Sequence, residues 1–305
     1  MNAPPLDLRA SEEALSVAAV FRRRPRDLIR VVGPQAREYL QGQCTQELSD
    51  LEPGAARFAL VLSVQGKFEG FVRVRALEED AFVLDTLAGQ GAKVLERLRR
   101  FKIRTKAELS LEQVELVEVR GPAAVAPPET GDALVLPVFP RPGVVGVDLL
   151  GAPADPPLVP AGDPGAFVVQ RIVAGIPEPV SELTDQTIPF EAGIVAETTS
   201  FTKGCYTGQE LIARLDARGA KVPRRLRGVL VEADRPDERV AAGTALLVEG
   251  REVGRLTSVA FSPQRAAIVA LAYVARGVEP PAEALLSPDA GGRRARIHAL
   301  PLDRG

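Results

Sequence analysis

Hydrophobic residues recur at helical spacing in three separate segments of the chain. Behind Pro34, which suits the first turn of a helix, four such residues repeat at every fourth position: Ala36, Leu40, Cys44 and Leu48. This repeat predicts a helix and places Cys44 in the core. A second helix is predicted over residues 90–101, and a third runs from the Asp-Pro pair at 163–164 to Gly175.

Other segments carry the shorter patterns that are typical of β-strands. In the first half of the chain the predicted strands are 58–64, 72–76, 81–85 and 114–119. Within 72–76, Arg73 and Arg75 alternate with apolar residues, which predicts a half-buried strand. The C-terminal part holds strands only, namely 226–231, 244–248, 253–261, 267–273 and 294–300. These strands favour a small barrel or sandwich over residues 223–305, behind a region of helices and strands over residues 1–222.

The segment from Lys203 to Glu210, with the sequence KGCYTGQE, holds one of the two cysteines. Thr207 and Glu210 have the spacing of a capping box, which predicts that a helix begins here. Cys205 would then lie just ahead of the positive end of the helix dipole and near the Lys203 ammonium, and both favour a thiolate. The pattern predicts a reactive thiol at Cys205, with Lys203 as the modulator of its ionisation. The alternative is a small apolar plug, because free cysteine is among the most buried residue types.

Composition narrows the classes of function. The 305 residues, 46% hydrophobic and 26% charged, fit a globular protein with room for two or three domains. Two cysteines and one histidine argue against a disulfide framework, a four-ligand zinc site and a Ser-His-Asp triad. The formal net charge of -2 argues against bulk electrostatic binding to nucleic acid. The N-terminal residues lack the apolar core of a signal peptide, so a cytoplasmic protein without membrane attachment is expected.

The Lys203–Glu210 segment resembles the signature of the YgfZ-type folate-binding proteins. These are relatives of the aminomethyltransferase, or T-protein, of the glycine cleavage system. Further matching residues follow in the order that the family shows: 39–43 with Thr45, Gly66 with Lys67, Arg171 with 174–177, Pro189 with Glu191, Gly254 with 256–258, and 271–272. The resemblance therefore covers essentially the whole chain.

This resemblance implies both a fold and a function. The implied fold is α+β, with two interleaved portions around a central channel and a C-terminal β-barrel. The implied cofactor is tetrahydrofolate or a derivative, and the implied role is iron–sulfur cluster assembly or repair, with an indirect effect on tRNA modification. Cys205 is the expected working thiol. The residues expected to bind the cofactor are Gly66, Lys67, Arg171, Glu191, Gly204, Tyr206, Gly208 and Gln209.

Two positions depart from the related aminomethyltransferases. Those enzymes carry an aspartate pair where this chain has Gly70 and Phe71, so no glycine-cleavage activity is expected. Glu69 is adjacent, but regular strand geometry would direct its side chain to the opposite face from Gly70. Val173 stands where many relatives have a pterin-contacting glutamate. Loss of one buried acceptor would weaken folate binding about 5- to 150-fold unless Glu191 or a neighbouring backbone group replaces it.

Three functions stay open on these residues. The leading one is a folate-binding accessory protein whose partners are iron–sulfur assembly factors or client proteins. The second is a folate-dependent one-carbon transferase or demethylase that uses Glu69 or Glu191 as its acidic group. The third is an interaction module that has lost folate. Direct binding to nucleic acid is not expected, because the basic run over residues 221–227 has no interleaved aromatic side chains.

Overall fold

The computed structural model describes residues 5–125, 130–151, 158–237 and 239–302. The chain forms two compact units whose segments alternate along the sequence. Unit 1 consists of Met1–Arg23, Val117–Glu182 and Val222–Gly305. Unit 2 consists of Arg24–Leu116 and Leu183–Lys221. Two long strands, β1 (Val20–Val32) and β5 (Glu108–Arg120), contribute residues to both units.

Unit 2 is built on an antiparallel sheet. Its other strands are β2 (Ala56–Leu62), β3 (Phe68–Glu78) and β4 (Ala81–Leu87), in the order β2-β3-β4-β1-β5. Two amphipathic helices, α2 (Ala36–Gln43) and α3 (Gly91–Arg100), bury their apolar faces against it. The predicted strands and the helix predicted over residues 90–101 are thereby confirmed. The helix predicted behind Pro34 is shorter than expected: α2 ends at Gln43, and Cys44 and Leu48 lie beyond it, although both are fully buried in the core.

The prediction of a half-buried β3 is wrong at Arg73, which is only 3% exposed. Its Nε donates to Asp85 Oδ1 at 2.8 Å, while Arg26 Nη2 donates to Asp85 Oδ2 at 2.7 Å. Burial raises the pKa of the Asp85 carboxyl, but the two guanidinium groups outweigh that effect and hold the pKa below its usual range. Alternation of charged and apolar residues therefore misled here, because a buried partner on the neighbouring strand compensates the charge.

Three short helices complete unit 2. They are α5 (Pro189–Ala192), α6 (Val195–Thr198) and α7 (Gln209–Ala217). The backbone N–H of Phe68 donates to Thr187 O at 3.1 Å, and the Thr45 hydroxyl donates to Thr198 O at 2.5 Å. These bonds fix the 183–221 segment onto the sheet and so position the candidate site.

The sheet portion of unit 1 holds β5, β7 (Gly146–Leu150) and β6 (Leu134–Pro137), in that order. Helix α1 (Leu8–Val17) packs against helix α4 (Pro164–Ala174). Helix α4 confirms its sequence prediction at both ends: Asp163 Oδ1 accepts from Gly165 N at 2.7 Å, and Gly175 has a φ of 69°. Helix α1 and strand β1 were not predicted.

The C-terminal strands of unit 1 form a closed six-stranded barrel, which confirms the predicted architecture. They are β8 (Arg224–Glu232), β9 (Ala245–Val248), β10 (Arg251–Ser262), β11 (Ala267–Ala275), β12 (Ala282–Leu286) and β13 (Arg294–His298). Their order is β10-β11-β8-β13-β12-β9. A short 3-10 helix, Pro288–Ala290, precedes β13. Within the ranges given above, no helix has the length and apolar character needed to cross a membrane.

Candidate functional site

The Lys203–Gln209 segment of unit 2 differs from its sequence prediction in how it enters a helix. Helix α7 begins at Gln209, and its N-cap is Gly208 without a side-chain cap. The predicted capping box is therefore wrong. Thr207 instead donates its backbone N–H to Gly42 O at 3.1 Å. Cys205 lies four positions before the first helical residue, and a dipole effect that fades within one turn no longer explains its reactivity.

Lys203 has a different role from the one expected. Its Nζ donates to three backbone carbonyls at the C-terminal end of α2 and just beyond: Gln41 O at 2.7 Å, Cys44 O at 2.8 Å and Gln46 O at 2.7 Å. An α-helix leaves its last carbonyls without intrahelical partners, and one ammonium has three hydrogens to donate. Burial lowers the pKa of Lys203. The side chain thus ties the segment to α2, and its influence on Cys205 stays a prediction.

Two glycines allow this segment to approach the turn between β2 and β3. Gly208 has a φ of 85°, and a Cβ there would lie 2.4 Å from Ser63 O. Gly66 has a φ of 74°, and a Cβ there would lie 2.9 Å from Gly208 O. Any larger residue at either position would force the two backbones apart. The requirement for glycine at both positions is therefore explained by packing, and contact with a cofactor remains a prediction.

Tyr206 and Gln209 complete the bracing. Gln209 Oε1 accepts from the Tyr206 backbone N–H at 3.1 Å. The Tyr206 ring centroid lies 5.3 Å from Lys203 Nζ, within the range of a cation–π interaction. Burial raises the pKa of Tyr206 to about 12. The loop is thus held by contacts on both sides of Cys205.

Cys205 itself is exposed, in contrast to Cys44. Its neighbour Gly204 is also exposed, and a Cβ at that position would meet no other atom within 4 Å. Burial raises the pKa of the Cys44 thiol to about 11. The chain therefore presents one accessible thiol on a braced loop and keeps the other in the core. Burial of Cys44 was predicted from the sequence, and the reactivity of Cys205 stays a prediction.

Exposed hydrophobic side chains lie on the segments around the thiol, and sequence patterns gave no sign of them. Phe201, four positions before Cys205, is 50% exposed. Val64, in the turn that packs against Gly208, is 57% exposed. Such residues next to an accessible cysteine favour a surface that a partner covers.

The remaining predicted cofactor residues are spread over both units. In unit 2, Lys67 Nζ donates to Gln186 Oε1 at 3.0 Å in an exposed position. Glu191 is 3% exposed, and its Oε2 accepts from the Ile188 N–H at 3.3 Å at the start of α5. Arg171 belongs to unit 1. The structure therefore groups the Lys203–Gln209 residues with Gly66 and assigns Arg171 to another set of contacts.

Those contacts tie helix α4 to the barrel. Arg171 donates to Glu182 Oε2 at 3.0 Å and to Ser258 Oγ at 2.7 Å. Glu182 is fully buried, and its Oε1 accepts from the hydroxyls of Thr257 and Ser258, each at 2.6 Å. A buried charge needs this degree of compensation. The network gives Arg171 a structural role that the sequence did not reveal, since it depends on Ser258 and Thr257, which are far away along the chain.

The structure also bears on the acidic group of the transferase hypothesis. A Cβ at Gly70 would lie 2.8 Å from Val94 Cγ2, so an aspartate there requires the Val94 side chain or α3 to move. Val61 pairs with Gly70 and Leu62 with Phe68, which makes Glu69 the extra residue of a bulge. The bulge interrupts the alternation on which the expected direction of Glu69 was based. Its carboxylate lies 2.7 Å from Arg97 Nε, and this ion pair neutralises it.

Two family models match this chain. Residues 17–127 match the GCVT N-terminal domain, and residues 224–302 match the glycine cleavage T-protein C-terminal barrel domain. The second match coincides with the closed barrel of unit 1. The crystal structure of the glycine cleavage system aminomethyltransferase T from Bartonella henselae has the same fold, with a TM-score of 0.81 at 19% identity, and the match covers 99% of this chain and 91% of that one.

Several curated proteins are similar in sequence. The iron-sulfur cluster assembly factor IBA57 of Homo sapiens, a mitochondrial protein, is 32% identical over 262 residues, which span 78% of this chain and 73% of the relative. The aminomethyltransferase of Thermus thermophilus is 28% identical, across 82% of this chain and 78% of its own. The tRNA-modifying protein YgfZ of Klebsiella pneumoniae is 28% identical, across 64% of this chain and 66% of its own.

Proposed function

The chain belongs to the glycine cleavage T-protein family, with IBA57 and YgfZ among its relatives, and from this membership we propose a folate-binding accessory protein of iron–sulfur cluster assembly or repair. Its working group is the Cys205 thiol. The observation that carries the proposal is the exposure of this one thiol on a loop braced by Lys203, Tyr206 and Gln209. Its effect on tRNA modification is indirect, through enzymes that contain clusters.

The chemistry of the thiol supports this role. Cysteine thiolates are the usual protein ligands of iron–sulfur clusters, and a cluster ordinarily needs four. Cys205 supplies one, and the second cysteine of the chain is buried. The other ligands therefore come from a partner protein, which the exposed side chains of Phe201 and Val64 help to hold by apolar contact. The proposed location of this activity is the cytoplasm, as for a relative of the bacterial protein YgfZ.

The residues assigned to folate fit that ligand in part. Lys67 presents an ammonium in an exposed position, which suits the carboxylates of a glutamate tail. Glu191 offers a buried carboxylate, the kind of acceptor that a pterin ring requires. Gly66 and Gly208 contribute through close backbone packing and leave no space for a ligand at their contact. Folate, when bound, supplies a one-carbon carrier, and these residues hold its polar ends.

Calorimetric titration with tetrahydrofolate tests the cofactor. We expect saturable binding, weakened about 5- to 150-fold by Glu191→Gln, because the neutral amide replaces a charged acceptor. Glu210→Gln is the matched control, since Glu210 is an exposed carboxylate on α7. Thermal unfolding of each variant shows whether α5 is intact. Absence of heat at high micromolar tetrahydrofolate would instead favour an interaction module that has lost folate.

The second candidate function is a one-carbon transferase or demethylase, which the similarity to the Thermus aminomethyltransferase favours. The environment of Gly70 and the ion pair of Glu69 argue against it, because neither position presents a free carboxylate. We therefore expect no methylene- or methyl-folate when the protein is incubated with tetrahydrofolate and methylamine donors. Product at several turnovers per minute, lost in Glu191→Gln, would establish the transferase instead.

A further inference from the structure

Unit 1 contains a cavity of about 750 Å³ to which no role has been assigned. It lies between helices α1 and α4 and the turn that joins β10 to β11. Apolar side chains from α4, the barrel and the C-terminal segment line much of it: Val169, Val173, Leu230 and Leu302. A volume of this size is within the range of small-molecule sites, which combine apolar walls with a few polar groups.

The cavity has one buried carboxylate on its wall, that of Glu12 on α1. The residue is 4% exposed. Its Oε2 accepts from the Gln264 backbone N–H at 2.9 Å and from the Ser262 hydroxyl at 3.1 Å. Its Oε1 has no hydrogen-bond partner among the residues that the structure describes. A buried carboxylate with one oxygen unsatisfied is costly, and proteins keep such groups mainly where something else completes them.

Two arginines act on Glu12 through their charge, and neither donates a hydrogen bond to its Oε1. Arg9, also on α1, directs its guanidinium to Pro263 O at 3.1 Å. Arg265 lies on the β10–β11 turn and lines the cavity. Both favour the charged form of Glu12 through space, yet burial outweighs them and raises the pKa of the carboxyl. From α4, the polar group on the wall is the neutral amide of Gln170. The unpartnered Oε1 of Glu12 thus leaves a place for a hydrogen-bond donor at this wall.

We propose that this cavity binds a small amphipathic amine, with its ammonium group at Glu12 and its apolar body against α4 and the barrel. An ammonium satisfies the unpartnered oxygen by a charge-assisted hydrogen bond, which is among the stronger polar contacts. The apolar body removes the exposed faces of Val173 and Leu230 from water. The site is separate from Cys205, because all of its lining residues belong to unit 1, and Val173, the position at which many relatives have a pterin-contacting glutamate, is one of them.

Three indole probes of similar size test the charge preference: tryptamine as the cation, tryptophol as the neutral analogue and indole-3-acetate as the anion. We expect tryptamine to bind most tightly and indole-3-acetate most weakly, as measured by NMR titration of the full chain. Glu12→Gln should weaken tryptamine about tenfold or more and leave tryptophol nearly unchanged. If indole-3-acetate bound more tightly than tryptamine, the charge preference of the cavity would be set by Arg265 and not by Glu12, which would overturn the proposal.

Matched variants separate binding from folding. Glu13→Gln removes the adjacent, exposed carboxylate of α1 and should leave tryptamine binding unchanged. Gln170→Trp fills the cavity from a half-buried position and should abolish binding of all three probes. Tryptamine affinity of the wild-type protein should rise with pH as Glu12 ionises, and this rise should be absent from Glu12→Gln. Equal tryptamine affinity in wild type and Glu12→Gln, with both folded, would contradict the proposal.

Discussion

Substitution of Cys205 by serine should abolish the ability of this chain to restore iron–sulfur enzyme activity in a bacterial strain that lacks its YgfZ relative. The hydroxyl of serine is close in size to the thiol but ionises far less readily, so it replaces neither a cluster ligand nor a redox thiol. Because Cys205 is exposed and the loop is held through other residues, the variant should fold normally. The measurement is the activity of a cluster-dependent enzyme in extracts of the complemented strain.

The second cysteine provides the control. Cys44→Ala removes a fully buried thiol and should lower the free energy of unfolding, yet it should still complement where the protein accumulates. Thiol titration with Ellman's reagent should find one reactive group in the native wild-type protein, two after denaturation, and none in native Cys205→Ser. Full complementation by Cys205→Ser would show that the working group lies elsewhere.

Much of the fold could be predicted from the sequence, because helix caps and strand patterns depend on residues that are close together along the chain. Asp163 and Gly175 bound α4 as expected, since a cap bonds backbone groups only two or three residues away. Most of the barrel could also be predicted, because five of its strands have their own apolar pattern and turn residues, whereas β12 was not predicted. Cys44 is fully buried as predicted, although it lies just beyond the end of α2 and not on the helix from whose periodicity its burial was inferred.

The parts that were not predicted depend on distant partners. The sequence pattern predicts a surface position for Arg73, and its burial is explained only by Asp85, whose carboxylate accepts from both Arg73 and Arg26. The capping box failed because Gly42 O takes the backbone N–H of Thr207. Helix α1 was missed because the polar residue Glu12 interrupts its buried face, and only the barrel turn explains that burial. In each case a contact across the sequence overrides a local preference.

The Lys203 ammonium also makes its contacts with residues far away along the chain, and its removal should destabilise unit 2. In Lys203→Met the apolar part of the side chain is kept, but three backbone carbonyls lose their donor. An unsatisfied buried acceptor costs about 1–3 kcal/mol, and Lys203 is partly accessible to water, so we expect the free energy of unfolding to fall by about 2–4 kcal/mol. Urea denaturation with an unchanged m-value measures it. Lys93→Met, an exposed position on α3, is the control.

This variant also decides between the two roles of Lys203. If the ammonium serves only to hold the loop on α2, Lys203→Met lowers stability, while the pH profile of the Cys205 reaction with Ellman's reagent stays in place under conditions where the protein is folded. If the ammonium acts on the thiol, the pH profile moves upward, because a positive charge no longer favours the thiolate. A loss of less than about 0.5 kcal/mol together with a moved profile would reverse our assignment. The three carbonyl bonds of 2.7–2.8 Å favour the first outcome, since they leave no ammonium hydrogen for the thiol.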